Sequence, residues 1–413
     1  MSKNIPKLRF PEFIGAPEWE EKSLHKTANF VNKKIPLSSL DGKKYISTEN
    51  ILQDFAGFKK TNTLPPAGSA TEFRAGDILV SNIRPYLKKI WVADFEGGAS
   101  NDVIVIRASE NINQQFLSYN LKNDAFIDFV MAGAKGVKMP RGDIALIKQY
   151  PLFVPHEQNE QKKIADCLTS LDDLITAQSQ KAQALKEHKN AMMKQLFPSE
   201  EESVPKLRFP AFKDKYQSKK VAECFDNFGG TALEKYTVND GNYNFISIGN
   251  YSKDGKYIDK GQRVELNEIT RSKLLNKNDL VMVLNDKTLS GDIIGATLLI
   301  YENDKYIYNQ RSERLVVKSD LIPLYAWYML NSDMIRKKVF KMSQGGTQIY
   351  VNFSSVKTIK AYFPCPKEQQ KIADCLNSID ELITSQTAKV QVLKEHKKAL
   401  MQQLFPNKPI KDN

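Results

Sequence analysis

The sequence predicts an α+β protein in which two α/β domains, in a pseudo-two-fold arrangement, are joined by two long antiparallel coiled-coil helices. Three observations lead there. A short motif, IPKLRFP at 5–11, returns as VPKLRFP at 204–210, with Phe13 and Phe212 two residues beyond it. A longer segment, QKKIADCLTSLDDLITAQSQKAQALKEHKNAMMKQLFP from Gln161, returns from Gln369 as QQKIADCLNSIDELITSQTAKVQVLKEHKKALMQQLFP and matches at about 26 of 38 gapless positions. The stretches between, roughly 12–155 and 211–363, share only a rhythm of short apolar runs. Two units of about 200 residues argue against a solenoid, whose repeats span about 20–50 residues.

The two copies of the long segment read as helices. Ile164, Leu168, Leu171, Ile175, Ala182, Leu185, Met192 and Leu196 follow the alternating three-and-four spacing of a coiled-coil seam. Ile372, Leu376, Ile379, Ile383, Val390, Leu393, Leu400 and Leu404 repeat it, and Pro198 and Pro406 stop both runs. Polar residues also fall on the seam, Gln178 with Gln386 and Lys189 with Lys397. A single amphipathic stripe serves equally well to cover its own domain; two near-identical stripes favour mutual packing about a two-fold axis. The first helix carries the chain about 54 Å at 1.5 Å per residue. The second therefore lies along it only by running back, which would put the inserts at opposite ends of a rod. One turn of B-DNA is about 34 Å, so such a rod spans a turn or more.

Composition narrows the function. The 413 residues carry 60 Lys and Arg against 48 Asp and Glu, a formal charge of +12. The helices hold little of it: six Lys against five acids over 160–197, and five against five over 368–405. The excess therefore sits on the inserts and points to a polyanionic partner. No stretch of about 18 uncharged apolar residues appears, nor an apolar run behind the basic start, so the protein is expected in the cytoplasm. Cys167, Cys224, Cys365 and Cys375 lack CxxC spacing and read as free thiols, and four histidines leave few nitrogen ligands, so no metal site is expected.

Within the inserts, DILVSNI, DVIVIRA, DLVMVLN and RLVVKSD read as strands, and 116–131 and 324–340 as helical runs. Each insert ends in a glycine-containing polar loop, AGAKGVKMPRGD at 132–143 and SQGGTQIYVNF at 343–353. Lys135, Lys138 and Arg141 in the first, and Gln344, Thr347, Gln348 and Tyr350 in the second, suit close approach to phosphates and base edges. Further nucleic-acid candidates are Ser47 and Asn50 in KKYISTEN, Ser247 and Asn250 in YNFISIGN, Arg84 and Lys88 in IRPYLKK, and Lys287.

With these residues in view, the chain resembles the specificity subunits of type I restriction-modification systems over nearly its whole length. The resemblance rests on the paired KLRFP motifs, FRAGDILVSNIRP, the EQ pairs leading into IADCL, and the twin helices. It implies two target-recognition domains, 1–158 and 199–366, each reading one half of a split double-stranded DNA target. Spacer helices at 159–198 and 367–406 would dock two methyltransferase subunits, with restriction subunits in the larger assembly and a tail at 407–413. S-adenosylmethionine, ATP and magnesium would belong to those partners. Two departures stand out. The first half reads PHEQNEQ, one residue longer before its EQ, and LLNKNDLVMVLNDK replaces FRAGDILVSNIRP in the second, which breaks residue-by-residue transfer.

Catalysis by this chain itself is not expected. The only Pro-Pro, in LPPAG at 64–68, lacks the flanks of a base-methylation tetrapeptide. GNYSKDGKY at 249–257 has one residue too many for a P-loop and Tyr257 where Ser or Thr would hold magnesium. A coiled-coil scaffold that binds only proteins is the rival reading, and it leaves the divergent basic inserts unexplained.

Overall fold

The computed structural model describes residues 4–199, 202–318 and 320–406, so the tail assigned to 407–413 lies outside the described residues. Among the described residues six helices are eight residues or longer: α1 (Gln114–Leu121), α2 (Asp124–Ala132), α3 (Gln158–Leu196), α4 (Pro323–Leu330), α5 (Asp333–Lys341) and α6 (Pro366–Leu404). The chain forms two compact units, but they are not the two sequence repeats. One comprises 1–179 with 388–413, the other 180–387, so each takes one half of α3 and the opposite half of α6.

In the first unit a four-stranded antiparallel sheet runs in the order Ala28–Phe30, Val103–Ala108, Ile78–Ser81, Ile90–Val92. A second sheet orders Lys34–Pro36, Ser69–Phe73, Gly97–Ala99 and Tyr45–Ile46, its last pair parallel. A ribbon of Glu20–Ser23 against Pro151–Val154 closes the insert. The central strand shows why DILVSNI is an unbroken apolar run. Ile78 and Val80 join the core with Leu117, Leu121 and Phe126 of the helices. Leu79 joins Ile46, Phe73 and Trp91 on the opposite face. A strand buried on both faces loses the alternation of a half-exposed one.

The second unit repeats this plan with Phe225–Gly229, Ser312–Val317, Leu280–Val283 and Thr297–Leu299 in one sheet. Leu280 and Met282 face the helices, and Val281 and Val283 the other core. The expected helical runs each divide in two. Asn123 breaks the first, its Oδ1 accepting from the Phe126 amide at 3.2 Å. In the second, Asn331 ends α4 and Ser332 precedes α5.

The suspected break in correspondence at LLNKNDLVMVLNDK is overturned. Gly76 and Asn278 both occupy the left-handed region, at φ 93° and 73°, a role asparagine fills next best after glycine. The following aspartates match as well. Asp77 accepts the Arg74 amide at 2.8 Å and both ends of Arg107 at 2.7 and 2.6 Å. Asp279 accepts the Asn276 amide at 2.6 Å and Arg314 Nη2 at 3.2 Å, within an ion pair whose shortest approach is 2.9 Å.

The shared motifs prove to be the frame. Arg9 of the first KLRFP grips Glu160 at 2.7 and 2.8 Å, and Trp19 donates to the same carboxylate at 3.2 Å. Arg208 grips Glu368 at 2.8 Å through two nitrogens, with the Tyr216 hydroxyl at 3.0 Å. The neighbouring glutamines work in parallel: Gln161 Oε1 accepts the Asn113 amide and Gln369 Oε1 the Ile322 amide, fixing the starts of α1 and α4. The Leu8 amide donates to Gln403 O and the Leu207 amide to Gln195 O, so each KLRFP also satisfies a carbonyl at a helix C-terminus.

Antiparallel pairing is visible inside each unit. In the first, Lys397 meets Asp172 at 2.6 Å, while Leu404 and Phe405 share a cluster with Ile164 and Leu168. In the second, Lys189 meets Asp380 at 2.6 Å, while Leu196 and Phe197 share one with Ile372 and Leu376. Two readings of the stripe are therefore both in part true. Its ends, Ile164, Leu168, Ile372 and Leu376, enter the insert cores alongside the opposing helix. Leu171, Ile175, Leu185, Ile379 and Leu393 are half-buried, and Ile383 is buried. Tyr119 donates to Asp172 and Tyr328 to Asp380, both at 2.8 Å, completing a Tyr–Asp–Lys cluster in each unit.

One residue breaks that equivalence. Lys122, after α1, stands where the second unit has Asn331, which is satisfied by Thr297 and Trp327. Burial, reinforced by the charge of Lys397 and opposed by Asp172, pushes the Lys122 amine down to about 8. Between about pH 8 and 10 the unfolded chain holds a proton there that the folded chain has lost, so stability rises with pH in this window. Above about pH 10 the effect is opposed by buried Tyr119 and Tyr150, whose ionisation burial suppresses. Lys122→Met is expected to flatten the rise and to gain about 1–3 kcal/mol at pH 7. Urea titrations across pH 7–10 check it; an unchanged slope would refute the assignment.

Candidate nucleic-acid interface

The polar loops at the ends of the inserts have the same construction. Lys135 and Arg141 exchange backbone hydrogen bonds at 2.9 Å, and Gln344 and Tyr350 do so at 2.8 Å, each closing a tight hairpin. Gly136 and Gly345 take φ 97° and 123°, and a Cβ on Gly345 would fall 1.9 Å from Gln348 O. Both hairpins are stitched to the segment leaving the central strand. Gly142 donates to Asn82 O and Arg84 to Pro140 O in the first unit, and Val351 to Leu284 O in the second, where Asn285–Asp286 also pairs with Ile349–Tyr350.

In the first unit this head includes a third piece. Arg84 and Lys88 flank the turn Pro85–Leu87 with φ of 50° and 53°, while Asp54 and Phe55 take 52° and 59°. The Asp54 amide donates to Leu87 O at 3.1 Å and that of Phe55 to Lys88 O at 3.0 Å. Each left-handed non-glycine residue costs about 1–2 kcal/mol, so two interlocked turns hold strain that the rest of the fold supports. Exposed apolar side chains surround the head: Tyr86, Val137 and Met139 here, Leu289 and Tyr350 in the second unit. Of these only Tyr350 was among the sequence candidates. The signal that could have found Val137 and Met139 was an apolar residue inside a glycine-bearing polar loop.

The structure sorts the remaining candidates. Arg84, Lys138, Lys287, Gln344, Thr347, Gln348 and Tyr350 are exposed on the two heads. Lys88, Lys135 and Arg141 also lie there, but acids hold them: Asp124 at 2.7 Å, Asp143 at 3.0 Å and Asp102 at 2.7 Å. The hydrogen bond to Asp124 raises the Lys88 pKa and keeps it charged. Asn50 and Asn250 are corrected to structural residues, being 3% and 0% exposed. Their Oδ1 atoms accept from the amides and hydroxyls of Ser47 and Ser247, at 2.8 and 2.8 Å and at 3.0 and 2.8 Å. Their Nδ2 groups donate to Lys59 O and Ile258 O. Ser47 and Ser247 are thereby committed too, and the four residues lock one loop twice over.

A duplicated frame carrying two dissimilar cationic or amide-rich heads defines a class of protein, the two-domain recognition subunit. The chain belongs to the type I restriction modification DNA specificity domain family, whose profile matches residues 17–187 and 213–395. Among curated proteins it is 24% identical to the type I restriction enzyme MjaVIII specificity subunit of Methanocaldococcus jannaschii, over 98% of this chain and 95% of that protein. It is 25% identical to the putative type I restriction enzyme specificity subunit S.HindORF215P of Haemophilus influenzae, over 70% of each. Among solved structures, the S subunit of a type I restriction-modification system from M. genitalium superposes with TM-score 0.61 at 14% identity, covering 98% of this chain and 100% of that one. A chain from a structure of type I R-M complex assembly and conformational transition gives 0.59 at 15%, covering 94% and 97%. These two likenesses show the fold.

Proposed function

We propose that this chain is the DNA-reading subunit of a type I restriction-modification complex, each head recognising one half of a bipartite target and the long helices docking two methyltransferase subunits, with restriction subunits in the full assembly. The observation that carries the reading is the contrast between frame and head. The Arg–Glu grip, the glutamine staple and the Tyr–Asp–Lys cluster recur with the same chemistry, while the hairpins they support differ in almost every side chain. A protein-only scaffold has no need of that divergence, and family membership does not favour it. The chain recognises and its partners catalyse, so S-adenosylmethionine, ATP and magnesium belong to those partners. No helix among the described residues is long and apolar enough to cross a membrane; DNA in the cytoplasm is the proposed setting.

The test is an exchange of residues 12–155 for the corresponding insert of a relative, followed by mapping of methylated sites in cells that supply the methyltransferase subunits. One half of the target is expected to change while the other keeps its sequence. A change in both halves, or in neither, would show that the heads do not read independently.

A further inference from the structure

We infer that Arg84 is a base-reading residue of the first head and that its target is a guanine in the first half-site; the inference rests on the function proposed above. The first observation is charge. Of the five cations gathered on this head, Lys88, Lys135 and Arg141 are neutralised by Asp124, Asp143 and Asp102. Arg84 and Lys138 are exposed and make no ion pair or side-chain hydrogen bond among the described residues. Of the five, these two offer an uncompensated positive charge to a ligand.

The second observation is rigidity. Arg84 sits at φ 50° and ψ 62°, its amide given to Pro140 O at 2.8 Å and its carbonyl accepting from Leu87 at 2.9 Å. The turn it opens is clamped in turn by Asp54 and Phe55, themselves left-handed. Lys138 instead lies at the open tip of its hairpin, beside Gly136 and the fully exposed Val137. A phosphate accepts a cation from many directions, so a flexible lysine serves it. A base edge demands one plane and one distance, which a guanidinium fork on a fixed backbone supplies. Guanine presents O6 and N7 together in the major groove, the acceptor pair that matches that fork.

The third observation is that the cation at this position belongs to one head only. Backbone pairing places Asp286 at the position equivalent to Arg84, next to the partner of Tyr350 as Arg84 is next to the partner of Arg141. Asp286 is 4% exposed, and its carboxylate is spent on the Thr288 amide and hydroxyl and the Ile293 amide. A residue that positions the phosphate backbone would be expected in both copies of a shared frame. A residue that reads sequence differs between them.

The test uses the full-length chain with its methyltransferase subunits and selects bound duplexes from a library randomised across the first half-site. The wild type is expected to require guanine at one position there. Arg84→Ala and Arg84→Gly should lose that preference by about 10- to 100-fold, and Arg84→Lys should keep most of the affinity while losing most of the preference. Glycine adopts the left-handed conformation freely, so Arg84→Gly should melt no lower than the wild type, which separates reading from folding. Lys138→Ala should weaken all sequences alike and make the salt dependence shallower by about one ion. An unchanged motif in Arg84→Ala, or a uniform weakening like that expected of Lys138→Ala, would overturn the assignment while leaving a two-part wild-type target intact. Absence of any two-part target in the wild type would instead overturn the function beneath it.

Discussion

Replacement of Glu368 by alanine is expected to destabilise the second unit by about 3–5 kcal/mol. The carboxylate is wholly buried, with 0% side-chain exposure, and it holds both nitrogens of Arg208, itself 20% exposed. It also accepts the Tyr216 hydroxyl, so truncation strands a charge and a phenol together. The Arg208 guanidinium owes its raised pKa first to that hydrogen bond. Asp214 O at 2.6 Å and the Tyr216 ring, 4.9 Å from the guanidinium, would remain, neither supplying a counter-charge. Removing both partners should cost far less, because Arg208→Met with Glu368→Met also removes two desolvation penalties. Hydrogen exchange on the full chain, read peptide by peptide, reports the second unit separately. Equal losses in the single and double variants would show that packing, and not the charge pair, accounts for the effect. Glu160→Ala is expected to act likewise on the first unit, where Arg9 is 8% exposed and its other partners are the carbonyls of Ala16 and Pro17.

The Tyr–Asp–Lys clusters should respond unequally although their residues are the same. Lys189 and Asp380 are 11% and 12% exposed, whereas Lys397 and Asp172 are 19% and 40% exposed. Asp380→Asn therefore leaves a buried ammonium above Trp327 and Tyr328 and is expected to cost about 3 kcal/mol, while Asp172→Asn, screened by solvent, should cost about 1 kcal/mol or less. The pH dependence follows from Asp380. Burial alone would raise its pKa, but Lys189, the Tyr328 hydroxyl and Lys256 together hold it below the ordinary carboxylate value. A depressed carboxyl contributes its full stability above an unfolded pKa of about 4 and loses it as pH falls through the folded pKa. Asp380→Asn should accordingly weaken the second unit at pH 7 and flatten its acid limb. An acid limb identical to that of the wild type would place the titration elsewhere.

Much of this architecture was legible because duplication is itself a structural observation. Residues that recur through two diverged inserts, Arg9 with Arg208, Glu160 with Glu368, Lys189 with Lys397, turned out to be the frame. The same duplication explains Ser47, Asn50, Ser247 and Asn250, which the sequence offered as nucleic-acid candidates. As polar residues closing their segments they looked exposed, and they are a loop lock used twice. Recurrence marks what the fold requires of both halves, whereas readout of unlike targets should sit where the halves disagree. Arg84 against Asp286 is such a place: both lie eight residues beyond the matched left-handed residues Gly76 and Asn278, and the backbone pairing with the hairpins confirms a register that two such unlike side chains do not advertise.

The sequence by itself determined the two long helices, their apolar faces and the polar residues on them, because 3.6-residue periodicity and proline stops are local properties. It also determined the central strands, whose unbroken apolar runs admit burial on both faces. What covers those faces was decided only by tertiary structure. Asp380 finds Lys189 across 191 residues and Lys397 finds Asp172 across 225. As a result each compact unit is completed by a half-helix from the other repeat, and the boundaries drawn at 158, 198, 366 and 406 differ from those of the units, which divide α3 after Ser179 and α6 after Thr387. Periodicity states that a stripe must leave water. It carries no information about which of the available apolar surfaces will meet it, because that choice is made by the shape and charge of residues far away in the chain.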